Sequence, residues 1–184
     1  MRNGATSQNG WPVLTGATAG ELPRLRKFIL PGTGRHLLAR DGAVGFLLAH
    51  FALWWHSRLD RLDGGVWDEW GYALRPVRGQ TSGYSNHASG TAVDLDATQF
   101  PRGRAIGAVF KAWQIKRIRR RLKLYGGLLG WGGNYTRTPD GMHVEVNPGV
   151  PLAACERLAV RLLTSPRGRA LLEANPGLES VIRS

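Results

Sequence analysis

The stretch from Ser85 to Asp96 constrains this chain more than any other, because it brings a histidine, two carboxylates and a glycine into one loop-and-strand segment. His87 stands in the polar loop, Asp94 stands in the strand, and Gly90 lets the chain turn between them. The stretch predicts half of a metal site. The other half has to come from elsewhere, and a histidine and carboxylates crowd together again at Asp140 to Glu145.

His87, Asp94 and His143 form a ligand set that suits zinc. A catalytic zinc ion is held by three histidine or carboxylate side chains and keeps one position open. Peptide hydrolysis also needs a base that takes a proton from the attacking water and an acid that protonates the leaving amine. Asp140, three residues before His143, is the candidate for both roles. Glu145 shares the strand face with His143, so it is either a rival base or a group that orients a ligand.

An arginine has to steady the developing oxyanion or a substrate carboxylate, and Arg75 or Arg78, shortly before the first motif, can supply it. The alternative to a metal site is that these histidines are ordinary hydrogen-bonded residues, because a histidine on a strand is more often a satisfied polar residue than a ligand. Spacing alone leaves these two interpretations evenly balanced. The other histidines, His36, His50 and His56, are assigned no chemistry, and the helical signature H-E-x-x-H is absent.

Composition favours one globular domain over residues 1–184, with 42% hydrophobic residues. The single cysteine, Cys155, excludes an internal disulfide and a thiolate zinc finger, and we interpret it as buried and unreactive. A net charge of +12 favours a polyanionic partner, which is nucleic acid, anionic lipid or a bacterial wall.

Two segments bear on where the protein acts. The first ten residues lack the apolar core of a secretory signal, which predicts that the chain is made in the cytoplasm without one. The longest apolar run, Ala43 to Trp55, is shorter than the roughly 20 residues of a membrane span. It therefore predicts a core helix.

The pattern of the whole chain predicts an α+β fold, with helix-rich flanks around a few central strands. Residues 1–34, rich in Gly, Pro and Thr, are predicted as an irregular arm, and residues 151–184 as C-terminal helices that fray at Pro176. A helix is predicted from Asp41, which can cap it, to about Leu62. A basic helix with an apolar stripe is predicted within 101–125, and strands are predicted at 66–74, 90–96, 128–131 and 142–146.

Two motifs, in order along the chain, carry a resemblance to a known family. The first is Ser85-x-His87-x-x-Gly90-x-Ala92-x-Asp94, and the second is Trp131-Gly-Gly followed by Asp140-x-x-His143-Val-Glu145. Over about residues 41–148 the chain resembles the D-alanyl-D-alanine carboxypeptidase and L-alanyl-D-glutamate endopeptidase family of zinc peptidases. The resemblance implies a small antiparallel sheet flanked by helices, shared with the hedgehog signalling domain, and hydrolysis of the stem peptides of peptidoglycan.

The resemblance also implies roles for particular residues. The implied zinc ligands are His87, Asp94 and His143. Asp140 takes the position of the general base, where many relatives have Glu, so the chain fits the endopeptidase branch better. The substrate-binding arginine of the family precedes the first motif, and Arg75 is the first choice with Arg78 close behind. Ser85 is expected to support the ligands with its hydroxyl group.

The small single domain, the lack of a signal peptide and the cationic surface together make the chain similar to a phage endolysin. Such a bacteriolytic enzyme reaches the wall through a holin-made lesion. The expected partners are the peptidoglycan stem peptide, cut at the L-Ala-D-Glu or the cross-link bond, and the anionic wall, which the basic helix Lys111 to Lys123 would bind. We expect a monomer without a dedicated nucleic-acid partner. The alternatives are a D-Ala-D-Ala carboxypeptidase and, from another class, a non-catalytic zinc-bearing module that binds cell wall or nucleic acid.

Overall fold

The fold is α+β, as predicted from the sequence. A computed structural model describes residues 5–14, 24–77, 79 and 82–184. Over these residues the elements are β1 (Leu25–Leu30), β2 (Arg35–Arg40), α1 (Ala43–Arg58), β3 (Ala92–Asp94), α2 (Ile106–Val109), α3 (Ala112–Leu122), β4 (Leu129–Trp131), β5 (His143–Val146), α4 (Leu152–Leu163), α5 (Pro166–Ala174) and α6 (Leu178–Arg183).

The central sheet has three antiparallel strands in the order β3-β5-β4. Its register places Asp94 directly opposite His143, and Val93 opposite Val144. The two valines are fully buried in the apolar core. Because successive side chains of a strand point to opposite faces, Asp94 and His143 share the other face of the sheet. The strands predicted in the motif segments are therefore confirmed, with shorter bounds.

β1 and β2 form a separate antiparallel hairpin, in which Leu25 pairs with Arg40 and Leu30 pairs with Arg35. The irregular arm predicted for residues 1–34 is therefore wrong over β1. Part of the pattern that suggested the arm, Pro31 and Gly32, lies in the hairpin turn, where Gly32 and Gly34 have positive φ angles. The parts of the predicted arm at 1–4 and 15–23 lie outside the described residues. The hairpin packs on α1 and supplies buried apolar side chains on alternate positions of each strand.

α1 is the core helix that the apolar run predicts, and nearly every side chain along it is buried, including Trp54 and Trp55. The predicted cap at Asp41 is wrong, because Gly42 is the N-cap and the Asp41 carboxylate instead pairs with Arg26. The helix ends at Arg58, before the predicted end near Leu62. Beyond Arg58 the chain turns back, and the amide of Leu62 donates to Nδ1 of His56.

The strand predicted at 66–74 is wrong. Within the described parts of the chain these residues form no ladder, and the β-bridge among them is an isolated one between Trp70 and Asp94. The aromatic side chains that suggested a strand are exposed, since Trp67 is 43% and Trp70 is 62% accessible. The segment crosses between β2 and β3, and its backbone lies against Leu38, whose carbonyl accepts from the amide of Tyr72 at 2.5 Å. A crossing of this kind has no long ladder that a periodic pattern could reveal.

The C-terminal segment contains α4, α5 and α6, and α4 and α5 pack on α1. The frayed end predicted after Pro176 is wrong, because Leu178 and Ile182 bury their side chains and hold α6 in place. Cys155 of α4 is buried, and burial together with the charge of Glu156 raises the pKa of its thiol to about 11. This thiol stays protonated and unreactive at neutral pH.

α3 carries the predicted apolar stripe, with Ile118 and the following Tyr125 fully buried. Its other faces carry the basic side chains, and Trp113 is half exposed among them. None of the helices in the described parts of the chain combines the length and apolar character that crossing a bilayer requires.

Candidate metal centre

Three side chains converge on one point at the polar face of the central sheet. Nε2 of His87 lies 3.2 Å from Oδ1 of Asp94 and 3.2 Å from Nδ1 of His143. The third side of this triangle, from Nδ1 of His143 to Oδ1 of Asp94, measures 2.9 Å. All three side chains are buried.

The local fold explains why these atoms meet. Asp94 and His143 are cross-strand neighbours in β3 and β5. His87 comes from a short 3₁₀ helix, Asn86–Ser89, whose first turn is capped by the Ser85 hydroxyl, which accepts from the amide of His87. Gly90 ends this helix in the left-handed conformation, with φ of 67°. A Cβ on Gly90 would also lie 2.7 Å from the backbone nitrogen of Arg40, so only glycine allows this approach to β2.

The outer ring nitrogens determine which atoms face the centre. Nδ1 of His87 lies 2.7 Å from the carbonyl oxygen of Gly71, which can only accept, so Nδ1 donates and Nε2 keeps its lone pair. Nε2 of His143 lies 3.0 Å from Oε2 of Glu145, so this nitrogen donates and Nδ1 keeps its lone pair. Both lone pairs point toward Asp94. This is the arrangement of metal-bound histidines, whose second nitrogen is held by a carbonyl or a carboxylate.

Glu145 is committed to holding His143. Its oxygens also accept from the side-chain amide of Asn86 and, at 2.5 Å, from the hydroxyl of Tyr135. Burial opposes ionisation of Glu145, but the hydrogen bond from His143 and the other donors hold the pKa of its carboxyl below the usual range. Partial burial and the Glu145 charge raise the pKa of Tyr135, so its hydroxyl remains a donor. Glu145 therefore has little capacity left to act as a base.

The donor set fits zinc. Two ligands that each lie about 2.0–2.1 Å from a tetrahedral zinc ion are roughly 3.3 Å apart, close to the sides of the observed triangle. Three converging lone pairs also require a positive charge between them. Burial alone would raise the pKa of Asp94 and lower that of His143. The charge of His87 and the hydrogen bonds from both histidines instead depress the pKa of Asp94, and the hydrogen bonds to Asp94 and Glu145 raise the pKa of His143 to about 10. At neutral pH this raised pKa places a proton on Nδ1 of His143, between His143 and Asp94. A zinc ion bound to the three side chains would take the place of that proton.

Asp140 lies beside the triangle with one oxygen unused. Its Oδ1 is buried without a hydrogen-bond partner, and its Oδ2 is 3.6 Å from Nε of Arg102. Burial raises the pKa of this carboxyl to about 6, within the range useful to a general base near neutral pH. Gly132 makes room for it, because a Cβ there would lie 2.5 Å from the carbonyl oxygen of Asp140. Nε1 of Trp131 donates to the carbonyl of Gly141 at 2.7 Å and fastens the same loop.

An open cleft of about 680 Å³ lies over the centre, with Asp140 and His143 among its lining residues. Three arginines, Arg75, Arg102 and Arg137, also line it. The cleft therefore surrounds the candidate base with positive charge that suits a substrate carrying carboxylates.

The structure brings together nearly all the residues that the sequence singled out. The residues gathered at the cleft or directly beneath it are Arg75, Ser85, His87, Asp94, Asp140, His143 and Glu145. Arg78 lies outside the described residues. Asp96 turns away, and its Oδ2 accepts from Nε1 of Trp55 at 2.6 Å.

Sequence reasoning missed three residues of the site. Asn86 directly precedes His87, and this position was a signal that its polar side chain supports a ligand. Arg102 and Tyr135 stand in irregular segments that no motif marks, and only the folded chain brings them to the cleft.

Comparison with known proteins agrees with the motif resemblance. Residues 78–146 match a protein-family model described as D-alanyl-D-alanine carboxypeptidase. The matched segment contains His87, Asp94, Asp140 and His143. No curated protein and no solved structure gives a significant match.

Proposed function

We propose that this protein is a zinc-dependent peptidase that hydrolyses the stem peptide of bacterial peptidoglycan. The observation that carries the proposal is the triangle of lone pairs from His87, Asp94 and His143, with sides of 2.9–3.2 Å, beside the free oxygen of Asp140. A structural zinc site has four protein ligands and needs no neighbouring base, whereas a hydrolytic site has three ligands and a base. The family match over 78–146 supports the same activity.

The residues divide the chemistry between them. When bound, zinc supplies Lewis-acid chemistry for a peptide carbonyl and for water. Asp140 takes a proton from the attacking water at Oδ1 and returns it to the amine of the cleaved bond. Arg102, with Nε at 3.6 Å from Oδ2, pairs with the other oxygen of that carboxylate, and Oδ1 has no hydrogen-bond partner among the described residues that would compete for the proton. Glu145 holds His143 in the orientation that directs Nδ1 to the metal.

The arginines of the cleft suit the charge of the substrate. Stem peptides carry several carboxylates, and a guanidinium group binds a carboxylate through two parallel hydrogen bonds. Arg75 is the proposed partner of a substrate carboxylate next to the cleaved bond, because it lines the cleft and its carbonyl accepts from the amide of Ser85 at 3.2 Å. Asp140 at the base position favours cleavage as an endopeptidase, at the L-Ala-D-Glu or the cross-link bond, over D-Ala-D-Ala carboxypeptidase activity.

The cationic surface favours an enzyme of the endolysin type. α3 has no acidic residue in its first turn and three arginines in its last, and its exposed faces are basic. Such a surface would hold the enzyme to an anionic wall through long-range attraction that salt weakens. We infer that the basic helix serves this purpose and that the protein acts on the wall after release from the cell.

Digestion of purified peptidoglycan, with the fragments identified by mass spectrometry, tests the proposal. We expect zinc-loaded protein to release peptides in a reaction that EDTA stops, and we expect His143→Ala to lose both bound zinc and cleavage. His36→Gln is the matched control, because this histidine lies against Trp67 outside the centre and should leave both unchanged. The fragments distinguish release of terminal D-Ala from cleavage at L-Ala-D-Glu or at the cross-link. If folded, zinc-loaded protein leaves the wall intact, the catalytic proposal is wrong and a wall-binding module becomes the better account.

A further inference from the structure

A second group of carboxylates lies apart from the candidate metal centre. Asp68, Glu69 and Asp96 each offer a carboxylate oxygen, and these oxygens all lie within 4.8 Å of one another. All three residues are buried. Buried carboxylates at such short separations repel one another strongly, so something must compensate their charge.

Glu69 is the member of this acidic cluster whose carboxylate accepts no hydrogen bond from the residues that the structure describes. Its side chain is fully inaccessible to solvent, and neither carboxylate oxygen has a hydrogen-bond partner. Its ionic neighbour is Arg35, with Nε at 3.3 Å from Oε2. The guanidinium of Arg35, however, donates from Nε to the carbonyl of Leu62 and from Nη2 to the carbonyl of Gly65. A buried carboxylate without a hydrogen bond is rare and points to a ligand.

The other two carboxylates are held in fixed orientations. Oδ2 of Asp68 accepts from the amide and the hydroxyl of Thr98, at 2.6 and 2.5 Å. Oδ2 of Asp96 accepts from Nε1 of Trp55 at 2.6 Å. Supporting hydrogen bonds of this kind orient carboxylates that bind metals.

The charge balance calls for a cation. Among the described residues, the ion pair of this cluster is the one between Glu69 and Arg35, and a further carboxylate, Asp60, acts electrostatically on Asp96. Donors that are all carboxylate oxygens suit hard cations, and Ca²⁺ tolerates irregular geometry with ligands at about 2.3–2.6 Å. Oxygens on opposite sides of such an ion are roughly 5 Å apart, which is compatible with the spread of this cluster. We propose that Asp68, Glu69 and Asp96 bind a divalent cation, for which Ca²⁺ is the best fit.

The site would brace the candidate metal centre without taking part in its chemistry. Trp70, next to Glu69, exchanges both backbone hydrogen bonds with Asp94, at 2.9 and 2.8 Å. The carbonyl of Gly71 holds the ring of His87. Asp96 follows Asp94 closely in the chain. A cation that ties these two segments together would therefore stiffen the backbone behind two of the three converging side chains. This inference stands independently of the proposed peptidase activity.

Terbium luminescence gives a direct test. Tb³⁺ occupies Ca²⁺ sites and emits when a nearby tryptophan is excited, and Trp55 is hydrogen-bonded to Asp96. With zinc-loaded protein we expect a saturable signal of one Tb³⁺ per chain that excess Ca²⁺ displaces. The signal should persist in Asp140→Asn, which removes the carboxylate of the cleft, and in Glu173→Gln, an exposed control. It should be lost in Glu69→Gln.

The melting temperature gives a second measurement that needs no substrate. Ca²⁺ at 100 times its dissociation constant should raise the melting temperature of zinc-loaded wild type by roughly 5–10 °C. In Glu69→Gln this shift should vanish, while the melting temperature without Ca²⁺ should rise, because the amide removes a buried negative charge. If Glu69→Gln does not fold, the Tb³⁺ and Ca²⁺ titrations of the wild-type protein decide whether the cation site exists. Absence of a saturable Tb³⁺ signal, or an equal signal in folded Glu69→Gln, would overturn the site and leave shared protons as the compensation.

Discussion

Glu145→Gln should weaken zinc binding while leaving turnover by the zinc-saturated enzyme nearly intact. The carboxylate accepts from Nε2 of His143 at 3.0 Å in a buried setting, and loss of such a partner lowers metal affinity about 10–100-fold. We expect the upper end, roughly 2.7 kcal/mol, because the substituting amide cannot accept from His143, Asn86 and Tyr135 at once. One of these donors is then left buried without a partner.

Competition with a chromogenic chelator measures the zinc affinity, and digestion of peptidoglycan at saturating zinc measures turnover. Tyr135→Phe is the graded control, since it removes one donor to Glu145 but leaves the contact with His143, and it should weaken zinc binding by less than tenfold. If Glu145→Gln instead abolishes turnover with zinc affinity unchanged, Glu145 is the base, and the role given to Asp140 is wrong.

Three further changes probe the base, its loop and the core. Asp140→Asn should keep zinc but lower turnover about 10²–10⁴-fold, because the amide cannot take up a proton; elemental analysis showing lost zinc would make Asp140 a ligand. Gly132→Ala should lower both turnover and melting temperature through the close contact with Asp140, whereas Gly107→Ala, with no atom within 4 Å of its Cβ, should change neither appreciably; equal losses would contradict the packing argument. Burial and the charge of Arg121 lower the pKa of His50 from 6.5 to about 3, so in this range the unfolded chain binds a proton that the folded chain does not. The free energy of unfolding should therefore fall by about 1.4 kcal/mol per pH unit below 6.5. Urea unfolding of His50→Gln should lack this fall in the free energy of unfolding. If the free energies of wild type and His50→Gln fall in parallel with pH, His50 is not its source.

Elements that carry their own periodic pattern were predictable from the sequence. α1 was found from its apolar run, and β3 and β5 were found from short alternating segments. β1 was missed because Pro31, Gly32 and Gly34 indicate an irregular segment as readily as a hairpin turn, and the alternating strand pattern beside them is only six residues long. α6 was missed because Pro176 and Gly177 mark a break between helices as readily as the end of order, and only the burial of the side chains that follow decides between the two.

The site was predictable only as far as residue types in short motifs allow. His87, Asp94 and His143 were chosen because each stands among carboxylates and glycines, and their meeting follows from one strand register. The sequence could not predict which ring nitrogen of each histidine faces the centre, because this depends on the carbonyl of Gly71 and on the carboxylate of Glu145. Arg102 and Tyr135, two cleft residues from irregular segments that no motif marks, were equally out of reach.

Support for the candidate metal centre extends well beyond the motifs. The amide of Asn9 donates to Oδ1 of Asn86 at 2.9 Å, and the side chain of Asn86 donates in turn to Glu145, which holds His143. The side chain of Asn9 also donates to Thr91 and to the carbonyl of Val146, the last residue of β5. A single buried residue near the N-terminus thus ties the turn that carries His87 to the strand that carries His143. These ties add to the ladder of hydrogen bonds between β3 and β5, which sets Asp94 opposite His143 in the small central sheet.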